Sequence, residues 1–360
     1  MERGKLISLK PQAQRPSNLQ IINPTTYPNW NELVLSHPKY SFFHSSNWAR
    51  VLAESYNYNP VYFMAVDEKG LAYLIPFMEI KSFITGKRAV SLPFSDYCEP
   101  FIADGYDLQD VMSYIRKWGM KSGWEYVEIR GCEDFIEDVP VSSSYYGHVL
   151  NLSRDEEKIF SSFNNSNKRN IRNAVKRGVE IRVSNSLESI KVFYRLNCIT
   201  RRRHGLPPQP YSFFKNIFAH VISQNHGKVV FANFEDQTIA GAVYFHFGKK
   251  VVFKYGASDS AYQHLRANNL VMWKAIKYYC NRGYEQLFFG RTDLEHEGLR
   301  QFKSGWGAEE NIIKYYKLDI QKDIFVKTKS GISDFKKSIL GKMPVPVLKY
   351  IGSMLYRHTG

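Results

Sequence analysis

The segment NKRNIRNAVKRGVEIRV (167–183) contains a cluster of lysine and arginine side chains that could bind an anionic group. It is predicted to form a helix that closes at Gly178, with cations at Lys168, Arg169, Arg172, Lys176 and Arg177. Spacings of three and four residues place several of these on one helix face. Such a face suits a diphosphate or the end of a tRNA. The alternative is a solvated face that binds nothing.

A second candidate for chemistry is Tyr255-Gly256-Ala257-Ser258-Asp259, at the end of a predicted strand over 250–259. A tyrosine at a strand end can donate to a carbonyl or relay a proton to a leaving group. Asp259 could orient an amine or accept its proton. The structural alternatives are a half-buried strand aromatic for Tyr255 and a helix cap for Asp259.

Other familiar chemistries lack their signatures. The sequence has no G-x-S-x-G elbow, its ten histidines show no HExxH spacing, and its acidic residues do not follow a calcium-loop order. We therefore predict no metal site and no nucleophilic residue. Four scattered cysteines without a CxxC pair indicate a reducing compartment.

Composition and charge narrow the class of protein. The 360 residues are 44% hydrophobic and 23% charged, which excludes a disordered chain, a collagen and a coiled-coil rod. Net charge is −3 over residues 1–150 and +18 over 151–360, so we expect the second half to meet an anionic partner. With no signal-peptide h-region and no apolar run of about 18 residues, a cytoplasmic protein, soluble or peripheral at the membrane, is expected.

Two parts of the chain share one predicted order of elements, namely three strands, a helix and a fourth strand. The predicted ranges are 61–66, 71–80, 88–94, 107–123 and 124–131 in the first part, and 228–234, 238–247, 250–259, 268–283 and 284–290 in the second. An ungapped offset of 160 residues aligns Val111 with Val271 and Gly123 with Gly283. The pattern predicts a duplicated α/β unit, the alternative being two generic helix–glycine–strand units.

Three motifs in this order resemble the Fem-type (FemABX) peptidyltransferase family, a tandem duplication of the Gcn5-related N-acetyltransferase (GNAT) fold. They are the basic helix, VVFKYGASDSAYQHLRANNLVMWKAIKYYCNRGYEQLFFG (251–290) and GLRQFKSGWGAEE (298–310). The resemblance covers about residues 40–320 and is nearest to variants found with envelope polysaccharide synthesis. It implies an α/β (α+β) protein of two tandem GNAT-like acyltransferase domains, each a mixed β-sheet flanked by helices.

The predicted domain boundaries follow from this resemblance. Residues 1–25 are expected to be a loose N-terminal segment, 26–150 the first GNAT-like domain, and 151–325 the second, which includes the basic helix. Residues 326–360 are expected to form a basic amphipathic tail.

The resemblance also assigns roles to residues. Lys303 matches a lysine that stabilises negative charge on the donor as its carbonyl is attacked, and Phe302 would pack beneath it. As an exposed lysine, Lys303 is expected to contribute little to stability. Tyr255 and Asp259 join it as catalytic candidates. Asp96, Tyr97 and Arg130 would bind substrate in the first domain, as would Lys168, Arg169 and Arg172 in the second.

The resemblance implies an acyl or aminoacyl transferase that modifies an amine of a cell-envelope precursor, either a peptidoglycan peptide or an amino sugar, by direct attack in a ternary complex. No cofactor is expected to be bound; the donor is acyl-CoA or aminoacyl-tRNA. Where an acetyl-CoA cradle has its first glycine, this chain has Arg266, in QHLRAN (263–268), which impairs that cradle. No coiled-coil arm for tRNA is visible either, so the donor stays open.

Two further expectations concern partners. The acceptor would be nucleotide- or lipid-linked, with tRNA as a further partner if it is the donor. The segment KKSILGKMPVPVLKYIGSMLYR (336–357) has five cations, no acid and many apolar residues, so we predict peripheral membrane contact through it. Its alternative is packing onto the second domain. The alternative for the whole chain is a non-catalytic scaffold whose basic half binds RNA or anionic membrane.

Overall fold

The computed structural model describes residues 19–68, 70–103, 108–131, 139–328 and 334–360. Most of the predicted loose segment 1–25 lies outside this range, as does the side chain of Lys336 in the tail.

The first part of the chain contains three helices and seven strands among its described residues. The helices are α1 (Trp30–Leu35), α2 (Ser46–Tyr56) and α3 (Leu108–Ser122). The strands are β1 (Gln20–Ile22), β2 (Asn59–Asp67), β3 (Gly70–Ser82), β4 (Gly86–Val90), β5 (Phe101–Ile102), β6 (Tyr126–Arg130) and β7 (Ser143–Asn151).

Among its described residues, the rest of the chain adds eight α-helices and eight strands. The helices are α4 (Glu156–Ser162), α5 (Asn165–Lys176), α6 (Leu187–Arg203), α7 (Tyr211–Ile217), α8 (Ala267–Cys280), α9 (Glu297–Ser304), α10 (Asp334–Lys342) and α11 (Val345–Leu355). The strands are β8 (Glu180–Ser184), β9 (Gly227–Phe234), β10 (Gln237–Phe247), β11 (Lys250–Ser258), β12 (Gln286–Phe288), β13 (Thr292–Asp293), β14 (Glu309–Asp319) and β15 (Ile324–Phe325).

The chain divides into two compact units that are not continuous in sequence. Unit 1 comprises Met1–Tyr145, Ile312–Ser330 and Arg357–Gly360; unit 2 comprises Tyr146–Asn311 and Gly331–Tyr356. This division differs from the predicted boundaries because unit 1 also includes most of β14 and the last four residues of the chain. Sequence periodicity contains no information about such a long-range return.

Each unit builds the same mixed sheet. In unit 1, β2, β3 and β4 are antiparallel neighbours, and β6 lies parallel to β4 after the crossover through α3. In unit 2, β9, β10 and β11 are antiparallel, and β12 lies parallel to β11 after the crossover through α8. A helix is the usual connection between parallel neighbours. The predicted duplicated unit is confirmed.

Each sheet gains a last strand from the other part of the sequence. Residues 315–319 of β14, which come after unit 2 in the chain, pair antiparallel with β6 of unit 1. Residues 149–151 of β7, which come before the rest of unit 2, pair antiparallel with β12.

One apolar core in each unit lies between the sheet and its crossover helix. In unit 1, Val111, Met112 and Ile115 of α3 are buried against sheet residues such as Phe63 and Ile75. In unit 2, α8 and the buried Ile171 and Ala174 of α5 pack together against residues of β10. The helix α5 therefore turns its small apolar stripe inward, which decides where its polar side chains lie.

The predicted tail forms two helices of unit 2. Pro344 is the N-cap of α11 and Pro346 lies in its first turn, where the missing N–H of a proline costs nothing. The prolines thus begin the helix at Val345. Leu348 is fully buried, and a Cβ on Gly352 would lie 2.0 Å from the Pro208 carbonyl oxygen, so the inner face of α11 packs closely onto unit 2.

Candidate active site

A cavity of about 420 Å³ lies in unit 2 where three helices and a strand end meet. The first turn of α5, the first turn of α8, one face of α9 and the end of β11 form its walls. The lining residues are Asn164, Ser166, Asn167, Asn170, Ile239, Ser258, Asp259, Tyr262, Gln263, Arg266, Ala267, Asn268, Asn269, Gly298, Gln301 and Phe302. Amide and hydroxyl side chains dominate, so the cavity can both donate and accept hydrogen bonds.

Two buried asparagines connect the helices that form this cavity. Asn269 of α8 donates from Nδ2 to Oδ1 of Asn167 of α5 at 2.9 Å. Nδ2 of Asn167 is itself buried and has no hydrogen-bond partner among the residues described. A buried amide N–H without a partner is costly, and it is a polar group that a ligand or water in the cavity could satisfy.

The turn after α9 requires a glycine for close approach. A Cβ on Gly305 would lie 2.5 Å from Asn164 Nδ2 and 2.9 Å from Asn167 Nδ2. The backbone of Gly305 also accepts a hydrogen bond from Asn164 N at 2.9 Å. Any larger residue here would displace the side-chain amides of Asn164 and Asn167, which line the cavity.

Arg266 precedes α8 with a left-handed backbone, at φ 58° and ψ 28°. Non-glycine residues adopt this conformation at a cost of roughly 1–2 kcal/mol. The chain therefore keeps the backbone turn that a glycine would provide at this position and adds a guanidinium side chain at the cavity wall.

Lys303 is buried, with 3% of its surface exposed, and does not line the cavity. Its Nζ donates to the carbonyl oxygens of Gly290 at 2.8 Å and Arg291 at 2.9 Å, just beyond β12. The expectation that Lys303 is an exposed lysine is wrong, because these carbonyls hold the ammonium group inside the protein. Phe302, its neighbour on α9, does line the cavity and packs edge-on against Trp306.

Sequence reasoning missed a charged cluster beside Lys303. His148 of β7 is fully buried, and its Nε2 lies 3.1 Å from Oε2 of Glu310. Arg300 of α9 binds the same carboxylate through two contacts of 2.8 Å. Burial, together with the positive charge of Lys303, lowers the pKa of His148 below its usual value despite Glu310. The cluster anchors α9 through Arg300, as the two carbonyls do through Lys303.

Tyr255 lies away from the cavity because of a β-bulge. Val243 and Tyr244 of β10 pair with Tyr255 and Phe253, so Lys254 is an extra residue in β11. A bulge reverses the alternation of side chains. Phe253 packs with Tyr244 in the main core, while Tyr255 contacts Phe214 of α7 at a ring distance of 5.6 Å.

Asp259 lines the cavity and also caps a short 3-10 helix, since its Oδ1 accepts from Ala261 N at 3.0 Å. The predicted functional position and its structural alternative therefore coincide at this residue.

The three cations predicted to bind substrate lie on the outer side of α5. Lys168 donates to the Ser161 carbonyl at 2.7 Å, Arg172 lies 5.8 Å from the ring centre of Phe160, and Arg169 is exposed. None of them lines the cavity. Asn164, Asn167 and Asn170 of NNSNKRN (164–170) line it instead, and the high density of asparagines in this segment was the available sequence signal.

The remaining predicted residues belong to unit 1. The main-chain oxygen of Asp96 accepts a 2.6 Å hydrogen bond from the Tyr315 hydroxyl. Arg130 pairs with Glu128 at 2.7 Å and lies over the Tyr315 ring. Tyr97 packs against Phe43, and burial raises its pKa above the usual value. Asp96, Tyr97 and Arg130 thus surround the end of β6.

Among the residues described, no group of three or more His, Cys, Asp or Glu side chains could hold a metal ion. None of the helices in those same residues combines the length and the apolar character of a membrane-spanning segment.

The fold and the second unit have known counterparts. Residues 161–309 match the acetyltransferase (GNAT) domain family. The fold resembles that of a tandem GNAT protein from the clavulanic acid biosynthesis pathway, with TM-score 0.55, 8% identity, and coverage of 88% of this chain and 100% of that one. The predicted fold of two GNAT-like domains is confirmed.

The particular relatives are Fem-type proteins. The crystal structure of FemX aligns with TM-score 0.62 and 15% identity, covering 79% of this chain and 94% of that one. Lipid II:glycine glycyltransferase of Staphylococcus haemolyticus (strain JCSC1435) is 22% identical over 44% of this chain and 55% of its own length. The chain spans about half the length of the curated relatives it matches. The predicted resemblance to the Fem-type family is confirmed.

Proposed function

We propose that the protein transfers an acyl or aminoacyl group to an amine of a cell-envelope precursor, by direct attack in a ternary complex. The observation that carries this proposal is the cavity of unit 2, with Phe302 on its α9 wall and Lys303 buried next to Phe302 on the same helix. The similarity to lipid II:glycine glycyltransferases supports a peptidoglycan or related amino-sugar acceptor.

In the proposed reaction the lone pair of the neutral amine attacks the donor carbonyl. An amide C–N bond forms, and the thioester C–S bond or the ester C–O bond of the donor breaks. The leaving thiolate or ribose oxygen receives the proton that the amine loses. Lys303 would stabilise the negative charge that develops on the carbonyl oxygen, an effect worth roughly 2.7–4 kcal/mol for one such donor. Two backbone carbonyls preorient its ammonium group.

Asp259 and Tyr255 have different prospects in this scheme. Asp259 lines the cavity, so its carboxylate could orient the acceptor amine or receive its proton. Tyr255 lies away from the cavity, with its ring held by Phe214 and Phe245; as the proposed proton donor it would require the leaving group of the donor to extend beyond the cavity to that side of β11. Tyr255→Phe tests that role, because it keeps the packing and removes only the hydroxyl.

The donor is acyl-CoA or aminoacyl-tRNA, and the two make different demands on the first turn of α8. The GNAT fold of residues 161–309 favours an acyl-CoA donor, and the Fem-type relatives favour an aminoacyl-tRNA. Arg266 lines the cavity with its left-handed turn intact, and it would face a phosphate of either donor. Competition between acetyl-CoA and charged tRNA for the purified protein distinguishes them.

Lys168, Arg169 and Arg172 would attract the phosphate groups of the acceptor or of tRNA, and Asp96, Tyr97, Arg130 and Phe302 would complete substrate binding. Changing the three α5 cations to Ala should weaken binding and flatten its salt dependence. Unchanged binding at low and high salt would remove α5 from the binding surface.

A lipid-linked acceptor would make membrane contact useful, and α11 offers a surface for it. Val347, Tyr350 and Met354 are 45%, 67% and 54% exposed on one face of that helix. Point variants test this contact better than truncation, because Arg357–Gly360 are part of unit 1. Changing these three residues to Ser should reduce binding to anionic vesicles; full binding would exclude α11.

The decisive experiment for the function incubates the protein with lipid-linked or nucleotide-linked precursors and each donor, followed by mass spectrometry. A mass increase on the amine identifies the transferred group. Binding of RNA or vesicles without any mass increase under either donor would favour the scaffold alternative.

A further inference from the structure

The turn between β3 and β4 presents two large apolar side chains to solvent. Phe83 is 88% exposed and Ile84 is 58% exposed, and they are adjacent at the tip of the hairpin. Single exposed apolar residues need no explanation, but an adjacent aromatic and aliphatic pair at a hairpin tip is a concentrated apolar surface.

Hydrogen bonds within unit 1 hold this turn in one shape. Ser82 Oγ accepts from the backbone N–H groups of Ile84 and Thr85 at 3.1 and 3.0 Å. Arg88, 2% exposed, donates to both the carbonyl and the hydroxyl oxygen of Thr85. Polar groups thus support the turn from below while its apolar side chains point outward.

The segment Arg357–Gly360 strengthens this support. The His358 carbonyl accepts from Arg88 Nη2 at 2.7 Å and from Thr85 Oγ1 at 2.9 Å. The ring of His358 packs edge-on against Phe83, with centres 4.6 Å apart. Phe83 is therefore fixed on one side by an aromatic contact and remains open to solvent on the other.

Positive charge surrounds the tip. Lys81 is 71% exposed and Lys87 is 30% exposed, and Arg357 is exposed beside His358. Two acids lie near them: Glu79, which is 7% exposed and contacts both lysines, and Glu125, beside Gly86. With the buried Arg88, cations exceed acids at the tip. An apolar tip with a cationic rim is complementary to an anionic bilayer, whose acyl boundary is apolar and whose headgroups are negative.

We propose that the β3–β4 tip inserts Phe83 and Ile84 into the interface of an anionic membrane, with Lys81 and Arg357 at the headgroups. Two side chains on a narrow hairpin offer far less than the roughly 800 Å² per partner of a stable protein interface, so a protein partner fits this surface poorly. The site is in unit 1 and is independent of α11 and of the transfer reaction.

The test measures co-sedimentation of the full chain with vesicles of phosphatidylglycerol and phosphatidylcholine, and with phosphatidylcholine alone. Phe83→Ser with Ile84→Ser should reduce binding to anionic vesicles at least tenfold. Met120→Ser on α3 is the matched control, because Met120 is also 58% exposed, and it should bind like the unchanged protein. Both variants should keep the thermal midpoint and the activity on a water-soluble acceptor.

A second variant reports insertion directly. Phe83→Trp should keep binding, and brominated lipids should quench the fluorescence that the substitution adds. Wild-type binding by the double Ser variant, or no quenching of this added fluorescence relative to the unchanged protein, would overturn the proposal. So would a loss of self-association that accounts for the sedimentation difference. Loss of transfer in all variants would count against the proposed function and leave this proposal standing.

Discussion

The parallel strand of each unit, β6 in unit 1 and β12 in unit 2, is followed by backbone carbonyls that accept hydrogen bonds. The donors to these carbonyls differ between the two units. In unit 1, the Arg130 carbonyl at the end of β6 accepts from the Cys98 N–H at 2.9 Å, so the backbone closes on itself. In unit 2, the carbonyls of Gly290 and Arg291 beyond β12 accept from Lys303. In unit 1 the carbonyl at the strand end thus binds another part of the backbone, whereas in unit 2 the carbonyls bind a buried lysine side chain.

The loops before the crossover helices differ in a related way. In unit 1 the segment after β4 is closed by side chains that are fully buried, including Leu92 and Cys98. In unit 2 the segment after β11 carries Asp259 and Arg266 to the wall of a polar cavity. Both units have the same arrangement of strands and crossover helix, and in unit 2 the side chains leave a polar cavity beside that helix.

Of the variants considered, replacement of Lys303 should have the largest effect on the transfer rate and on stability. Lys303→Met should lower the transfer rate by about 10²–10³. It should also destabilise the protein by roughly 1–3 kcal/mol, because two buried carbonyls lose their donor. Turnover and urea unfolding are measured side by side. Lys274→Ala on α8, an exposed position, is the control. Full turnover in Lys303→Met would show that the buried lysine of unit 2 has no role in transfer.

Acid should reveal a second difference, through the buried His246 and the half-buried His226 of unit 2. Burial lowers the pKa of His246 to about 4, and burial also lowers the pKa of His226. Because the unfolded chain binds these protons first, stability should fall as pH drops from about 6.5 to about 4. His246 alone accounts for roughly 3 kcal/mol of this loss.

The measurement is urea unfolding at several pH values, with hydrogen exchange to locate the change. Protection of β9 and β10 should decrease before that of β2 and β3. His246→Gln should flatten the pH dependence, while a change of the exposed His264 should not. In unit 1, hydrogen bonds from Trp124 and Lys87 outweigh burial and lower the pKa of Glu79, so its contribution is lost only below about 4.5. Earlier loss of protection in unit 1 would contradict the assignment.

The sequence predicted the elements of both units well and the side-chain roles less well. Gly123 and Gly283 follow the equivalent helices α3 and α8, as the predicted duplication requires. These features are local, so propensity and periodicity detect them. The returns of β14 and β7 to the two sheets are contacts between distant segments, and no local pattern encodes them.

The candidate site shows the same limit at the level of residues. The sequence around Lys303 is typical of a surface lysine, because the carbonyls that hold its ammonium group belong to Gly290 and Arg291, in the segment between β12 and β13. On α5 the sequence predicted that the cations bind substrate. The buried stripe of Ile171 and Ala174 instead places Asn167 at the cavity. Which face of a helix meets a site is fixed by tertiary packing, and side-chain charge alone does not reveal it.

The polar face of α5 gives a third, smaller test. Asn170 lines the cavity, whereas Asn173 on the same helix is exposed and does not. Asn170→Ala should raise KM about tenfold, as expected for loss of one hydrogen bond of roughly 1.4 kcal/mol, and Asn173→Ala should leave it unchanged. Equal effects of both variants on KM would show that the cavity-lining face of α5 does not contact the substrate.

The smallest effect should come from the two glycines that the duplication shares. Gly123 and Gly283 follow α3 and α8 with φ of +73° and +71°. A left-handed backbone costs alanine roughly 1 kcal/mol relative to glycine, so Gly123→Ala and Gly283→Ala should each destabilise by about this amount. A Cβ at 123 meets no atom within 4 Å, while one at 283 lies 3.2 Å from Arg154 Nη2. That side chain is flexible and can move, so we expect the two costs to differ by less than about 0.5 kcal/mol. Urea unfolding of the two variants measures both values. A cost confined to one glycine would show that the two helix ends are equivalent in sequence but not in energy.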